Sequence, residues 1–166
     1  MAIAIYGGTF NPFHLAHKNI VKSLLKSQKF SAVYVIPAGI SPHKGDVEIQ
    51  FSTYRYMMAR LALAKYDDVI VSDYEIKKES ISYSIDTIRY FYESVLEEDE
   101  EIYFVLGSDS LMQIETWYKP AEIMSEVILY VALRPGGERS VELERQQKHL
   151  ENKYRARIQY FENKPM

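Results

Sequence analysis

A chain of 166 residues fits one domain, and at that length folding hides about 70% of the surface an unfolded chain exposes, so neither a disulfide nor a metal is needed to hold it together. Its composition (47% apolar, 26% charged, 13% aromatic) is that of a globular protein, and a net charge of −3 excludes a general polyanion-binding surface, though not one local positive pocket, so we expect no nucleic-acid partner. The lack of cysteine excludes a disulfide framework and a thiolate zinc site, no apolar run approaches the ~20 residues of a membrane span, and residues 1–6 lack the marks of a signal peptide, so the reading is a cytoplasmic protein with no membrane contact.

In chain order, residues 3–6 form a short apolar strand that runs into Gly7-Gly8. Ile20, Val21, Leu24 and Leu25 then share one face of a helix. Residues 33–36 predict a second strand, Tyr54, Met58, Leu61 and Ala62 the inward face of a second helix, and residues 69–71 a third strand. Ile85, Ile88, Tyr92, Val95 and Leu96 make the clearest helical stripe, and the acidic run at 97–101 reads as a solvated helix end and loop. Two further strands fall at 102–106 and 127–133. Residues 138–155 predict an exposed helix with a thin stripe at Leu143, Gln147, Leu150 and Tyr154, and 158–161 a last strand with no helix to cover it. Strands alternating with helices imply an α/β fold with a mainly parallel sheet, covered on both faces through right-handed crossovers. Ligands of such sheets sit beyond the carboxyl ends of the strands, here just after Tyr6, Ile36, Leu106 and Leu133.

The first of these places is the most telling. The strand delivers Gly7-Gly8-Thr9-Phe10-Asn11-Pro12-Phe13-His14-Leu15-Ala16-His17. Two glycines permit a sharp turn and close approach of a ligand to main-chain N–H groups. Pro12 suits a helix start, and a helix N-terminus attracts anions. His14 and His17, three apart, would face the same way on that helix, toward phosphate oxygens. The alternative is one histidine satisfied in the core and the other serving as a cap. Two glycines alone are neither a dinucleotide fingerprint nor a P-loop.

This stretch resembles the signature of the nucleotidyltransferase superfamily, Gly-Gly-Thr-Phe-Asp/Asn-Pro followed by His-x-Gly-His. Further matches narrow the resemblance to the bacterial nicotinate mononucleotide adenylyltransferases: Pro37-Ala38-Gly39-Ile40-Ser41-Pro42-His43-Lys44, Ser82-Tyr83-Ser84, Gly107-Ser108-Asp109-Ser110-Leu111, Trp117-Tyr118 and Arg134-Pro135-Gly136, in the family's order across essentially the whole chain. The resemblance implies a Rossmann-like doubly wound parallel sheet of nucleotidyltransferase type. It also implies adenylyl transfer from ATP to nicotinate mononucleotide, giving deamido-NAD and pyrophosphate.

By the same resemblance, Gly7, Gly8, Thr9 and Phe10 line the nucleotide site with backbone groups, His14 and His17 hold the triphosphate, and Lys44 reaches phosphates from its loop unless it is simply an exposed lysine. Gly107 and Asp109 meet the ribose, with helix capping by Ser108 or Asp109 as the alternative. Ser82, Tyr83, Ser84, Trp117 and Tyr118 form the pyridine pocket, Trp117 otherwise being an ordinary anchor and Ser84 also an N-cap, and Arg134 meets the acceptor phosphate. Mg²⁺ arrives with ATP, on phosphates and water, with no dedicated protein ligand.

Two positions depart from the family pattern: Ala16 stands for its Gly, and Asn11 for its Asp. The family's closing Ile-Ser-Ser-Thr-x-x-Arg segment is not present in these 166 residues, so we read a single nucleotidyltransferase domain, truncated at its carboxyl end. A homo-oligomer or a fused second domain stays open. The competing functions are a phosphopantetheine adenylyltransferase-like enzyme and a nucleotide-binding module without turnover.

Overall fold

The computed structural model describes residues 2–10, 13–39, 52–78, 80–134 and 136–163. The expected apolar runs all form strands: β1 (Ala2–Gly8), β2 (Phe30–Pro37), β3 (Val69–Val71), β4 (Glu101–Gly107), β5 (Val127–Leu133) and β6 (Arg157–Glu162). They make one parallel sheet of order β3-β2-β1-β4-β5-β6. Strand order reverses between β1 and β4, which leaves a crevice at their carboxyl ends.

The period of two in each strand sends alternate residues to opposite faces. Ala4 and Tyr6 of β1, with Val33 and Val35 of β2, pack under α1 (Leu15–Lys26) and α2 (Ser52–Leu63), where Val21, Leu24, Ala59 and Leu63 are buried. Ile3, Ile5, Phe104, Leu129 and Val131 face the other way, onto α3 (Ser84–Ser94), α4 (Ser108–Gln113), α5 (Pro120–Glu126) and α6 (Val141–Tyr154). Crossovers of one hand that run first toward β3 and then, from β4, toward β6 must place their helices on opposite faces.

The second helix presents a different face from the one expected. Tyr54, Met58 and Leu61 are 69%, 47% and 73% exposed, whereas Ser52, Arg55, Ala59 and Leu63 are buried. Ala59 lets the helix approach the sheet closely, and Arg55, 3% exposed, is turned inward because its Nη1 donates to the Thr9 carbonyl at 2.8 Å. The helix expected over 138–155 forms as α6, capped by Ser140, whose hydroxyl accepts from the Leu143 N–H at 3.1 Å, and it is not merely exposed: Leu143 and Leu150 are buried in the core. Nor is the last strand uncovered, since Ile158 and Tyr160 of β6 pack into the core cluster that holds α6, and the Tyr160 hydroxyl donates to Gln147 at 2.9 Å.

Candidate active site

β1, β2 and β4 end side by side, with Gly8 opposite Pro37 and Tyr6 opposite Val105, and the Ala38 N–H donates to the Gly8 carbonyl at 2.8 Å. A cavity of about 420 Å³ opens there, lined by Gly7, Gly8, Thr9, Phe10 and His17 on one side and by Ser82, Ser84, Phe104, Gly107 and Trp117 on the other. Gly8 is sterically required, because a Cβ there would stand 2.8 Å from the Phe10 ring. Phe10 itself takes a left-handed backbone conformation (φ 49°) and is 3% exposed. Its ring meets those of Phe13 at 5.1 Å and His17 at 5.0 Å, edge to face, so it shores up the imidazole from below.

The two histidines do meet, by a route other than the expected one. α1 begins at Leu15, and His14 is its extended N-cap (φ −123°, ψ −176°), outside the helix. His14 Nδ1 accepts from the Ala16 N–H at 3.2 Å, and His17 Nδ1 accepts from the His14 N–H at 3.1 Å. This reciprocal capping box usually joins a Ser or Thr to a Glu or Gln; here imidazoles fill both places. The rings stack with centroids 3.8 Å apart and planes 26° apart. Because each Nδ1 is an acceptor, each neutral ring carries its proton on Nε2. Partial burial, and next the charge of a protonated His14, push the His17 pKa down to about 4, so its imidazole is neutral at physiological pH. Capping thus leaves two Nε2–H donors beside the positive end of a helix.

A second cavity of about 510 Å³ adjoins the first and shares Ser82, Ser84 and Trp117 with it, adding Tyr83, Thr116, Tyr118 and Lys119. Trp117 packs on Phe104 with ring centroids 6.1 Å apart, and the Tyr83 and Tyr118 rings approach to 4.4 Å. The turn that carries Trp117 is pinned to α6 through Glu115, which accepts from Tyr154 at 2.8 Å and Lys153 at 3.2 Å and pairs with His149 at 2.9 Å. Ser84 is the first residue of α3, whose N-cap is Tyr83 without a side-chain cap bond, and the N-cap of α4 is Gly107, so neither Ser84 nor Ser108 or Asp109 serves as an N-cap.

Asp109 and Arg134 lie together in a third recess of about 380 Å³ at the ends of β4 and β5, with Gly107 and Ser110 shared with the first cavity. Arg134 therefore stands apart from the recess of Trp117 and Tyr118. Lys44 and His43 fall outside the described residues, as do Asn11, Pro12, Pro135 and the stretch from Ile40 to Pro42. Glu75, Thr87 and Arg55 were not anticipated. Glu75 lines the first cavity, with Thr87 beside it, and the one signal for it in the sequence was an acid just beyond a predicted strand.

A parallel sheet of this order, with an anion-attracting helix start at its switch point and an aromatic recess alongside, defines a nucleotide-binding α/β domain. The chain belongs to the cytidylyltransferase-like family, whose sequence model matches residues 5–165. By sequence it groups with proteins named "Probable nicotinate-nucleotide adenylyltransferase". The one from Carboxydothermus hydrogenoformans is 36% identical over 156 residues, covering 94% of this chain and 76% of the relative. The one from Clostridium acetobutylicum is 36% identical over 163 residues, covering 98% and 80%. In fold, the chain matches the nicotinic acid mononucleotide adenylyltransferase of Plasmodium falciparum solved with NaAD, at a TM-score of 0.76 and 17% identity over 97% of this chain and 74% of that one.

Proposed function

We propose that this protein transfers the adenylyl group of ATP to the phosphate of nicotinate mononucleotide, forming deamido-NAD and releasing pyrophosphate, in the cytoplasm. The family membership and the names of its relatives support that reading. The observation that carries it is the pair of stacked imidazoles whose capping bonds leave both Nε2–H groups for an anion at the end of β1.

In this reading an acceptor phosphate oxygen attacks the α-phosphorus of ATP in line. The new oxygen–phosphorus bond forms as the bond to the bridging oxygen breaks, and pyrophosphate departs with that electron pair. Such a reaction asks for positioning and charge neutralisation rather than a nucleophilic side chain. His14 and His17 donate from Nε2 to triphosphate oxygens. Gly7, Gly8 and Thr9 offer backbone at the floor of the cleft, and Gly107 and Asp109 take the ribose. The pyridine ring lies against Trp117, with Ser82, Tyr83, Ser84 and Tyr118 around it. Arg134, beside Asp109, serves the phosphates from the nucleotide side, and Lys44 adds a cation. Among the described residues no group of three or more His, Cys, Asp or Glu could hold a metal, and no helix is long and apolar enough to cross a membrane. Mg²⁺ in this reading enters with ATP, on phosphate oxygens and water, and would supply charge neutralisation when bound.

Pyrophosphate release from ATP, measured with nicotinate mononucleotide, nicotinamide mononucleotide or phosphopantetheine as acceptor, tests the proposal. Turnover fastest with nicotinate mononucleotide is the expected result. Turnover only with phosphopantetheine would transfer the activity to that substrate, and calorimetric binding of ATP without turnover with any acceptor would leave a nucleotide-binding module.

A further inference from the structure

Glu75 sits in the turn after β3 and lines the main cavity, yet no role in the proposed reaction has been given to it. Its two carboxylate oxygens reach two separate elements. Oε1 accepts from the Gly39 N–H, just past the end of β2, at 3.4 Å, and Oε2 accepts from the Thr87 hydroxyl of α3 at 2.8 Å. Thr87 is 2% exposed, so its hydroxyl belongs to the interior. The approach is close at backbone level as well. A Cβ on Gly39 would stand 2.2 Å from the Glu75 carbonyl oxygen and 3.0 Å from Ser82 Oγ. Ser82 Oγ is buried and has no hydrogen-bond partner among the described residues. Burial raises the Glu75 carboxyl above its usual range, against the pull of those two hydrogen bonds and of the Lys78 and Arg55 charges. Arg55 in turn holds the Thr9 carbonyl.

One carboxylate thus joins the exit of β2, the first turns of α3 and, through the Arg55 charge, the turn after β1. Those segments carry the Thr9 backbone on the ATP side of the cleft and Ser82 and Ser84 on the acceptor side. The acceptor side depends on Glu75 most directly, because Thr87 lies one turn beyond Ser84 on the same helix, whereas the ATP side is reached one step removed, through Ala38 on the Gly8 carbonyl and through the Arg55 charge. We propose that Glu75 is a positioning residue for the acceptor, fixing Gly39 and α3 so that Ser82 and Ser84 stand at a set distance from Trp117.

This inference rests on the reading of the Ser82–Ser84–Trp117 recess as the acceptor site. The test is calorimetric binding of nicotinate mononucleotide and of ATP, taken separately, to the wild type, Glu75→Ala, Glu75→Gln and Thr87→Val, with a melting curve for each. Losing a hydrogen-bonded carboxylate should weaken nicotinate mononucleotide binding by about tenfold to a hundredfold in Glu75→Ala, and losing one neutral donor by about two- to tenfold in Thr87→Val. ATP binding should stay within about threefold in both. Gln can still accept from the Gly39 N–H, so Glu75→Gln should recover most of the loss. Equal weakening toward both ligands, or acceptor affinity unchanged in Thr87→Val, overturns the proposal, and Thr87→Val decides the matter even where Glu75→Ala does not fold. Failure of the wild type to bind nicotinate mononucleotide would instead remove the reading of the recess itself.

Discussion

Replacing His17 separates its two duties, one in the fold and one in the chemistry. As N3 of α1 it accepts from the His14 N–H, and as a lining group of the cleft it offers Nε2–H. In His17→Ala both are lost. Removing one preorganised donor to transition-state charge costs about 10²–10³ in kcat. The lost capping bond costs about 1 kcal/mol, and the lost contacts with Phe10 and Phe13 add to it. At this chain length each kcal/mol lowers Tm by roughly 2–4 °C. His17→Glu puts at N3 the residue type that capping boxes usually carry there and places a carboxylate where the helix dipole favours one. That same carboxylate repels a triphosphate. The double expectation is a Tm above that of His17→Ala in His17→Glu, which keeps the capping bond but not the ring contacts, beside turnover at least about tenfold below that of His17→Ala. Pyrophosphate release and differential scanning calorimetry on the three proteins measure both. Turnover in His17→Glu within tenfold of wild type would refute the phosphate role. A Tm lower in His17→Glu than in His17→Ala would refute the capping role.

Three further outcomes are expected. The His17 pKa is lowered from about 6.5 to about 4, so the unfolded chain binds that proton more readily; the stability His17 contributes is complete above pH ~6.5 and is lost as pH falls through 4. Urea unfolding of wild type and His17→Ala should therefore show a gap between the two that narrows from pH 7 to pH 4, and a constant gap would count against the shift. Trp117→Ala should raise KM for nicotinate mononucleotide by about five- to a hundredfold, the scale of one lost stacking contact, with KM for ATP little changed, and steady-state kinetics with each substrate varied would reveal equal effects if the stacking assignment is wrong. Gly39→Ala should lower stability by about 1–3 kcal/mol, because the new methyl meets the Glu75 backbone at 2.2 Å, whereas Gly7→Ala, whose Cβ would meet only the Ile36 carbonyl at 3.7 Å, should move it by less than about 0.5 kcal/mol in the same urea series.

What the chain's letters determined by themselves was local. Six short β-branched or aromatic runs became six strands, most plainly β1, β4 and β5, because a strand buried on both faces has few other compositions open to it, and the glycine turn with its two histidines was legible because such turns sit at strand ends. Tertiary structure decided which face of each helix turned inward and which distant groups met. An apolar stripe at Tyr54, Met58 and Leu61 gave way to Ser52, Arg55 and Ala59, because a small residue against the sheet and a guanidinium on the Thr9 carbonyl fit where the larger side chains would not. The two imidazoles came together through an N-cap rather than along one helix face, a matter of backbone angle at His14 that residue spacing does not encode. Glu75 and Gly39, 36 positions apart, were joined only when β2 and the turn beyond β3 were laid side by side in the sheet, since periodicity reports burial within one element and carries no information on what stands across from it.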